Sequence, residues 1–291
     1  MSSTSIEERS GAEILDLVRA QVDLGPRVPG SEAHARLEVM LAAGLRAASA
    51  EVSVQEFAVT FRGTTLRCAN VIGVFRARGG KPGAAAPLLL GTHYDTRPRA
   101  DREADPVARE APIPGANDGG SGTAILLHML DGLSRHGLDR DLIVAFFDAE
   151  DLGNIDGGQF AQGAEHLAAN PPRGLSPSEV IALDMVGGAG MVFDIDAHAL
   201  RHPPSRRLTR ELFRCGAEKG YRPFLGDKPQ RLKLIVSDHY PFIRRGIASC
   251  ILIDIDYPQW HTHGDGLHAL SAESLGITEA ALWLFLSRPR A

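Results

Sequence analysis

Apolar runs separated by turn signals dominate the chain, and the length and period of each run point to one kind of element. Ile14, Leu17, Val18 and Val22 share one face of a helix predicted over 12–22, and a second helix is predicted from Ser31, as its N-cap, to Ala48. Gly25-Pro26-Arg27-Val28-Pro29-Gly30 breaks the chain between them. Val52 to Phe61 and Leu66 to Arg76 read as paired strands around Arg62-Gly63-Thr64-Thr65. Shorter runs at Pro87–Gly91, Leu142–Phe147, Val180–Leu183 and Ile247–Ile255 read as buried strands. A helix is expected from Ser121 to His136, and Ser271-Ala272-Glu273-Ser274 is a capping-box signal opening a final helix to Leu286. Gly79–Ala86 reads as a turn or loop. Arg97–Pro114, rich in charge and carrying four prolines, reads as a solvated loop of the kind that also builds active-site rims. Strands alternating with helices predict an α/β fold, a single globular domain over residues 1–291. Its central sheet is expected to be mixed but mostly parallel, with helices on both faces.

Composition narrows the function classes. With 291 residues, 44% of them hydrophobic, the chain is long enough for one large core. A formal charge of -5 with scattered Lys and Arg lacks the basic stripe of a nucleic-acid binder. Cys68, Cys215 and Cys250 have no zinc-site spacing and are odd in number, so they are expected to be core thiols. No run approaches membrane-spanning length, and Met1–Arg9 lacks a basic start followed by an apolar stretch. The sequence as it stands predicts a cytoplasmic protein with no membrane partner, or a periplasmic or secreted one if a leader was removed. It does not indicate an oligomeric state.

The predicted strands end on chemistry. Gly91-Thr92-His93-Tyr94-Asp95, Gly115-Ala116-Asn117-Asp118-Gly119-Gly120-Ser121-Gly122 and Phe146-Phe147-Asp148-Ala149-Glu150-Asp151 each follow a buried run, directly or soon after. The last apolar strand leads into Tyr257-Pro258-Gln259-Trp260-His261-Thr262-His263. Open α/β sheets bind ligands where strand ends deliver loops to a common crevice, so the chain reads as an enzyme. A catalytic zinc takes three protein ligands from His nitrogen and carboxylate oxygen, and Asp118, Asp151 and His261 would make such a set. Each alone has a plainer role: Asp suits a glycine-rich turn, and two acids after a strand open a polar loop. The combination is what points to a metal. Glu150 and Asp151 diverge if the chain is extended or turning there, so one can hold metal while the other faces substrate as a general base. Asp95 is placed either to fix the His93 imidazole by a hydrogen bond or to act as a simple cap. The glycine-rich run lacks the features of a phosphate loop, and neither Ser121 nor Ser237 lies in a nucleophile elbow.

In this order the patches, together with Leu183-Asp184, Ser237-Asp238-His239 and the final His261-Thr262, resemble the clan of zinc-dependent aminopeptidases. That clan also contains the animal-type glutaminyl-peptide cyclotransferases. The resemblance runs from Leu24-Gly25-Pro26-Arg27-Val28-Pro29-Gly30 through Trp260-His261-Thr262, and the start of that span, the residues around Asp238 and the Trp before the last histidine look like the cyclase branch. It implies that Asp118, Asp151 and His261 bind one zinc, that Glu150 shuttles the proton, and that Asp184 and Asp238 supply supporting hydrogen bonds. Trp260 would cover the side chain of an N-terminal glutamine. The implied reaction is an acyl transfer that converts the glutamine at a peptide or protein N-terminus to pyroglutamate with release of ammonia. Animal cyclases carry Glu where this chain has Asp151, an arm longer by about 1.5 Å, and bacterial relatives accept Asp there. They also carry a second pocket tryptophan, whereas Leu152–Leu167 contains none. Two rivals stand beside this reading. In a two-zinc aminopeptidase Asp118 bridges the metals, His93 and Asp184 complete the second site, and Glu150 activates water. The other is a catalytically silent binding protein of the same fold.

Overall fold

The computed structural model describes residues 6–48, 50–77, 86–135, 138–172, 176–225 and 232–288. Two helices open the chain, α1 (Ile6–Val22) and α2 (Glu32–Ala47), the second capped by Ser31 accepting from the His34 N–H. The first begins six residues earlier than its apolar spacing predicts. A hairpin follows, β1 (Glu51–Phe61) and β2 (Thr64–Phe75). Its turn is shorter than expected. Only Arg62 (φ 51°) and Gly63 (φ 73°) lie outside the strands, and positive φ at both central residues matches the twist of the strands they join.

The remaining elements are β3 (Leu88–His93), α3 (Gly120–Arg135), β4 (Leu142–Phe147), α4 (Gln162–Ala169) and β5 (Glu179–Asp184). They are followed by β6 (Ile195–Asp196), α5 (Ala197–Arg201), α6 (Pro203–Glu218), α7 (Arg222–Leu225), β7 (Leu232–Lys233), α8 (Tyr240–Arg244), β8 (Ala248–Ile253) and α9 (Ala272–Leu286). The expected loop over 79–85 and the expected helix end at His136 fall outside the described residues. β8 is shorter at both ends than its apolar run, which leaves a loop between Ile253 and His261. Ser271 caps α9 through the Ser274 N–H, but Ser274 occupies the place where a capping box needs Glu or Gln, so the cap is one-sided.

Six strands form one sheet in the order β1-β2-β4-β3-β5-β8. β2 runs antiparallel to β1 and β4, while β4, β3, β5 and β8 are mutually parallel. This is the mixed, mostly parallel α/β sheet that the sequence predicts. Its four parallel strands are buried along their whole length, and β4 shows why a continuous apolar run is required. Leu142, Val144 and Phe146 join the core shared with α1, α2, α3, α6 and α9, whereas Ile143, Ala145 and Phe147 join the core under α4 and α8. Burying each of the larger of these side chains contributes about 1.5–3 kcal/mol, which holds β4 between the two helix layers. Cys68, Cys215 and Cys250 are buried and free, as expected of core thiols. Because the central strands are parallel, their carboxyl ends share one edge of the sheet, and the chemistry-bearing loops gather there.

Candidate active site

His93 closes β3 and Asp184 closes β5, so the sheet itself positions both. Asp118 lies in the glycine-rich turn before α3. The buried Asp265 carboxylate accepts the Asn117 and Asp118 N–H groups at 2.8 and 3.1 Å, and Arg27, fully buried, donates to the carbonyls of Pro114 and Gly115. The Arg27 segment thus props the turn that carries Asp118. Gly119 (φ 79°) is required for close approach, since a Cβ there would lie 2.5 Å from the Asp95 carbonyl and 3.2 Å from the His93 ring.

The acidic pair after β4 is turned by Ala149, which holds a left-handed φ of 54°. Asp95 anchors it, accepting the Glu150 N–H at 3.0 Å and the Asp151 N–H at 3.1 Å. The same carboxylate is 3.5 Å from His93 Nδ1, a nitrogen with no hydrogen-bond partner, so Asp95 serves the acidic turn more firmly than the imidazole it was expected to fix. Met185 (φ 49°) and His261 (φ 60°) are also left-handed, so strained backbone clusters around these side chains.

The geometry draws the predicted residues into two groups that share Asp118. Its Oδ1 lies 3.3 Å from His93 Nε2, which is also 3.4 Å from Asp184 Oδ1. Its Oδ2 lies 3.7 Å from His261 Nε2, which is 3.3 Å from Asp151 Oδ1. In each group the donor atoms fall within 4.8 Å of one another. Asp118 Oδ2 and Asp151 Oδ2 are buried without a hydrogen-bond partner. Two carboxylates and an imidazole, converging and incompletely satisfied, fit a zinc ion. Burial, aided by the Asp151 charge, pushes the Asp118 carboxyl up to about 7. Burial alone would raise Asp151 as well, but His261 and Arg97 hold it below the usual carboxylate range.

Glu150 lines a cleft of about 990 Å3 together with Asp118, Asp151, Asp184, Trp260 and His261. Burial, reinforced by Asp238, Asp184 and Asp151 against the opposing His93, raises its carboxyl well above the ordinary value. Ser237 lines the same cleft and donates to Asp184 Oδ2 at 3.0 Å. Its neighbour Asp238 is 1% exposed, and neither of its oxygens has a hydrogen-bond partner. Trp260 is half-buried beside the His261 ring, with the Arg102 guanidinium 3.8 Å from its own ring centroid. Phe160 is an aromatic cleft residue in the segment where no tryptophan occurs.

Four residues outside the predicted set support the site: Arg27, Asp265, Arg97 and Asp101. Arg97 donates to Asp151 Oδ1 at 2.9 Å, and Asp101 Oδ1 is 3.3 Å from His261 Nδ1. Both come from the loop over 97–114, which therefore belongs to the active-site rim. The only sequence signal for them was the density of charge in that loop.

Residues 70–286 match the model of peptidase family M28. The chain belongs to that family. A Bos taurus protein described as glutaminyl-peptide cyclotransferase-like is 25% identical over 288 residues, covering 90% of this chain and 71% of that one. The crystal structure of Tannerella forsythia glutaminyl cyclase superimposes with a TM-score of 0.86 at 28% identity, over 96% of this chain and 99% of its own. A Zn-dependent exopeptidase from Parabacteroides distasonis gives the same TM-score and identity, over 96% of this chain and 98% of its own. The solved structures thus share the α/β fold of this chain. No helix among the described residues is long and apolar enough to cross a membrane.

Proposed function

We propose that this M28 protein is a zinc-dependent glutaminyl-peptide cyclotransferase acting on the N-terminus of a peptide or protein. The observation that carries the reading is the common cleft, lined by the converging Asp118, Asp151 and His261 together with Glu150 and Trp260. The similarity to glutaminyl cyclases over nearly the whole chain supports it. One metal ion held by Asp118, Asp151 and His261 would supply Lewis acidity to the γ-carboxamide oxygen of the glutamine.

The chain's own residues do the rest. Trp260 offers an apolar wall against which the glutamine side chain packs, holding the α-amine close to the γ-carbon so that closure is intramolecular. Glu150 accepts a proton from the attacking amine as the new C–N bond forms, then delivers it to the amide nitrogen as the old C–N bond breaks and ammonia leaves. A base must be ionised, and a cation held at the neighbouring donors would offset the burial that raises Glu150. In this reading Asp238, buried with both oxygens unpartnered, would accept a hydrogen bond from the departing nitrogen. Asp184, steadied by Ser237, helps orient His93.

A second reading is favoured by one observation, the His93, Asp118 and Asp184 group, which offers a second place for a metal and would suit a two-zinc aminopeptidase. A peptide beginning with Gln and one beginning with Leu, each incubated with the zinc-loaded protein and followed by mass spectrometry, separate the two. Loss of ammonia from the Gln peptide alone is expected; release of the first residue from either peptide would replace the cyclase with an aminopeptidase.

A further inference from the structure

Two side chains of the 97–114 loop reach past the cleft rim to the back of the candidate ligands. Arg97 is 1% exposed and donates from one terminal nitrogen to both the side chain and the carbonyl of Asp151, at 2.9 and 3.2 Å. Its remaining nitrogens engage Asp101, with Nε 2.6 Å from Oδ1. That same Asp101 oxygen is 3.3 Å from Nδ1 of His261, the ring nitrogen opposite the one that faces Asp118 and Asp151. The next residues fasten the loop to the His261 segment. The Arg102 N–H donates to the His261 carbonyl at 3.2 Å, the Arg102 guanidinium covers Trp260, and the Glu103 carboxylate accepts the His263 N–H at 2.8 Å. These contacts hold His261 in its left-handed backbone conformation.

The geometry points to Arg97 and Asp101 as positioning residues that set how Asp151 and His261 present themselves to the metal. Asp101 accepts a hydrogen bond from the Nδ1–H of His261, which fixes the tautomer and leaves Nε2 free to ligate, an arrangement in which the outer carboxylate governs the affinity of the inner imidazole. Arg97 binds Asp151 Oδ1, the oxygen that also lies 3.3 Å from His261 Nε2, and leaves Oδ2 without a hydrogen-bond partner. Asp151 is thereby held to ligation through one oxygen. A rigid guanidinium fork has the geometry for this, engaging Asp151 and Asp101 together, whereas a lysine ammonium cannot serve both with the same directionality. The inference rests on the reading of Asp118, Asp151 and His261 as the metal-holding set.

Two metal readouts test it without reference to turnover. Asp101 is one-third exposed, so Asp101→Ala is expected to fold, with a metal-free thermal midpoint lowered by the loss of its two bonds to buried Arg97, and Asp101→Asn is the control for that loss. In competition with a chromogenic chelator Asp101→Ala should bind Zn2+ about 10- to 100-fold more weakly, with part of the loss restored by Asp101→Asn, whose side-chain oxygen still accepts a hydrogen bond from Nδ1–H. In the cobalt-substituted protein, Arg97→Met frees both Asp151 oxygens, and the visible cobalt bands should weaken as the coordination number rises. If Arg97→Met does not fold, Arg97→Lys carries the same expectation. Zinc affinity for Asp101→Ala within about threefold of the parent, well short of the usual outer-shell effect, overturns the role of Asp101. A loss matched by lower metal-free stability and not relieved by Asp101→Asn overturns it equally. An unchanged cobalt spectrum in a folded Arg97 variant overturns the role of Arg97. Since neither readout uses a substrate, failure of the cyclase reading in the peptide assay is distinguishable from failure here.

Discussion

Replacing Glu150 with Gln removes one negative charge and a proton acceptor while keeping the side chain's volume. The structure separates what this should change from what it should leave intact. The backbone at Glu150 is held by Asp95 through the N–H groups of residues 150 and 151, so the acidic turn does not depend on the Glu150 side chain. The donors Asp118, Asp151 and His261 converge without it, so bound zinc should remain at the level of the parent. The neighbours Asp238, Asp184 and Asp151 repel the Glu150 carboxylate, and the neutral amide relieves that repulsion, so the metal-free protein should be at least as stable as the parent. Turnover should suffer. Positioned proton transfer is worth about 100- to 10,000-fold, a barrier increase of about 2.7–5.4 kcal/mol. Ammonia release from a Gln-initiated peptide, measured with zinc content and thermal midpoint on the same preparation, provides the assay. Turnover within about tenfold of the parent, with zinc retained, would refute the proton-shuttle role; loss of zinc would show that Glu150 belongs to the ligand set.

Trp260→Ala should raise KM for Gln peptides more than it lowers kcat and should leave zinc bound, because the ring lines the cleft without being a donor; unchanged steady-state kinetics would remove Trp260 from the substrate wall. Asp265→Ala strips partners from the Asn117 and Asp118 N–H groups and the Tyr257 hydroxyl, and it leaves the buried Arg27 less compensated. A loss of about 3–5 kcal/mol in urea unfolding is expected, and a loss below about 1 kcal/mol would contradict the propping role. His128 on α3 joins Glu279 of α9 and Glu13 of α1, and chiefly the Glu279 hydrogen bond raises it from 6.5 to about 9. A folded-state value above the unfolded one means that the contribution is complete below about 6.5 and is lost as pH rises through about 9. The stability gap between the parent and His128→Gln should therefore shrink between about pH 6 and about pH 10; a gap that is constant or grows would reverse the sign.

Much of this protein was legible in its residues alone. The central strands are buried on both faces, so they must be apolar throughout, and Leu142–Phe147 was readable to the residue for that reason. Parallel strands deliver their carboxyl ends to one edge, so the acids and histidines written just after those runs were legible as one site before any distance was known. The short elements α5, α7 and α8, and the loop between Ile253 and His261, carried no clear period, whereas α6, which places Leu208, Leu212 and Phe213 on one buried face, has a helical period that the sequence reading passed over. The shape of the short elements and of that loop follows from contacts with distant parts of the chain.

What only the tertiary structure decided is the second layer of the site. Arg27 and Asp265 are separated from Asp118 by 91 and 147 residues, counting from 118 - 27 and 265 - 118, yet both secure its turn. Arg97 and Asp101 looked like two charges in a solvated loop until the fold buried one against Asp151 and brought the other to His261. A charged side chain has no period or propensity that announces its partner; burial removes water, and the need to satisfy the charge then selects a partner from whatever the fold brings within reach. The sequence by itself therefore determined the sheet and the inventory of chemistry at its edge, while three-dimensional packing decided which carboxylate oxygens are occupied and which are left free.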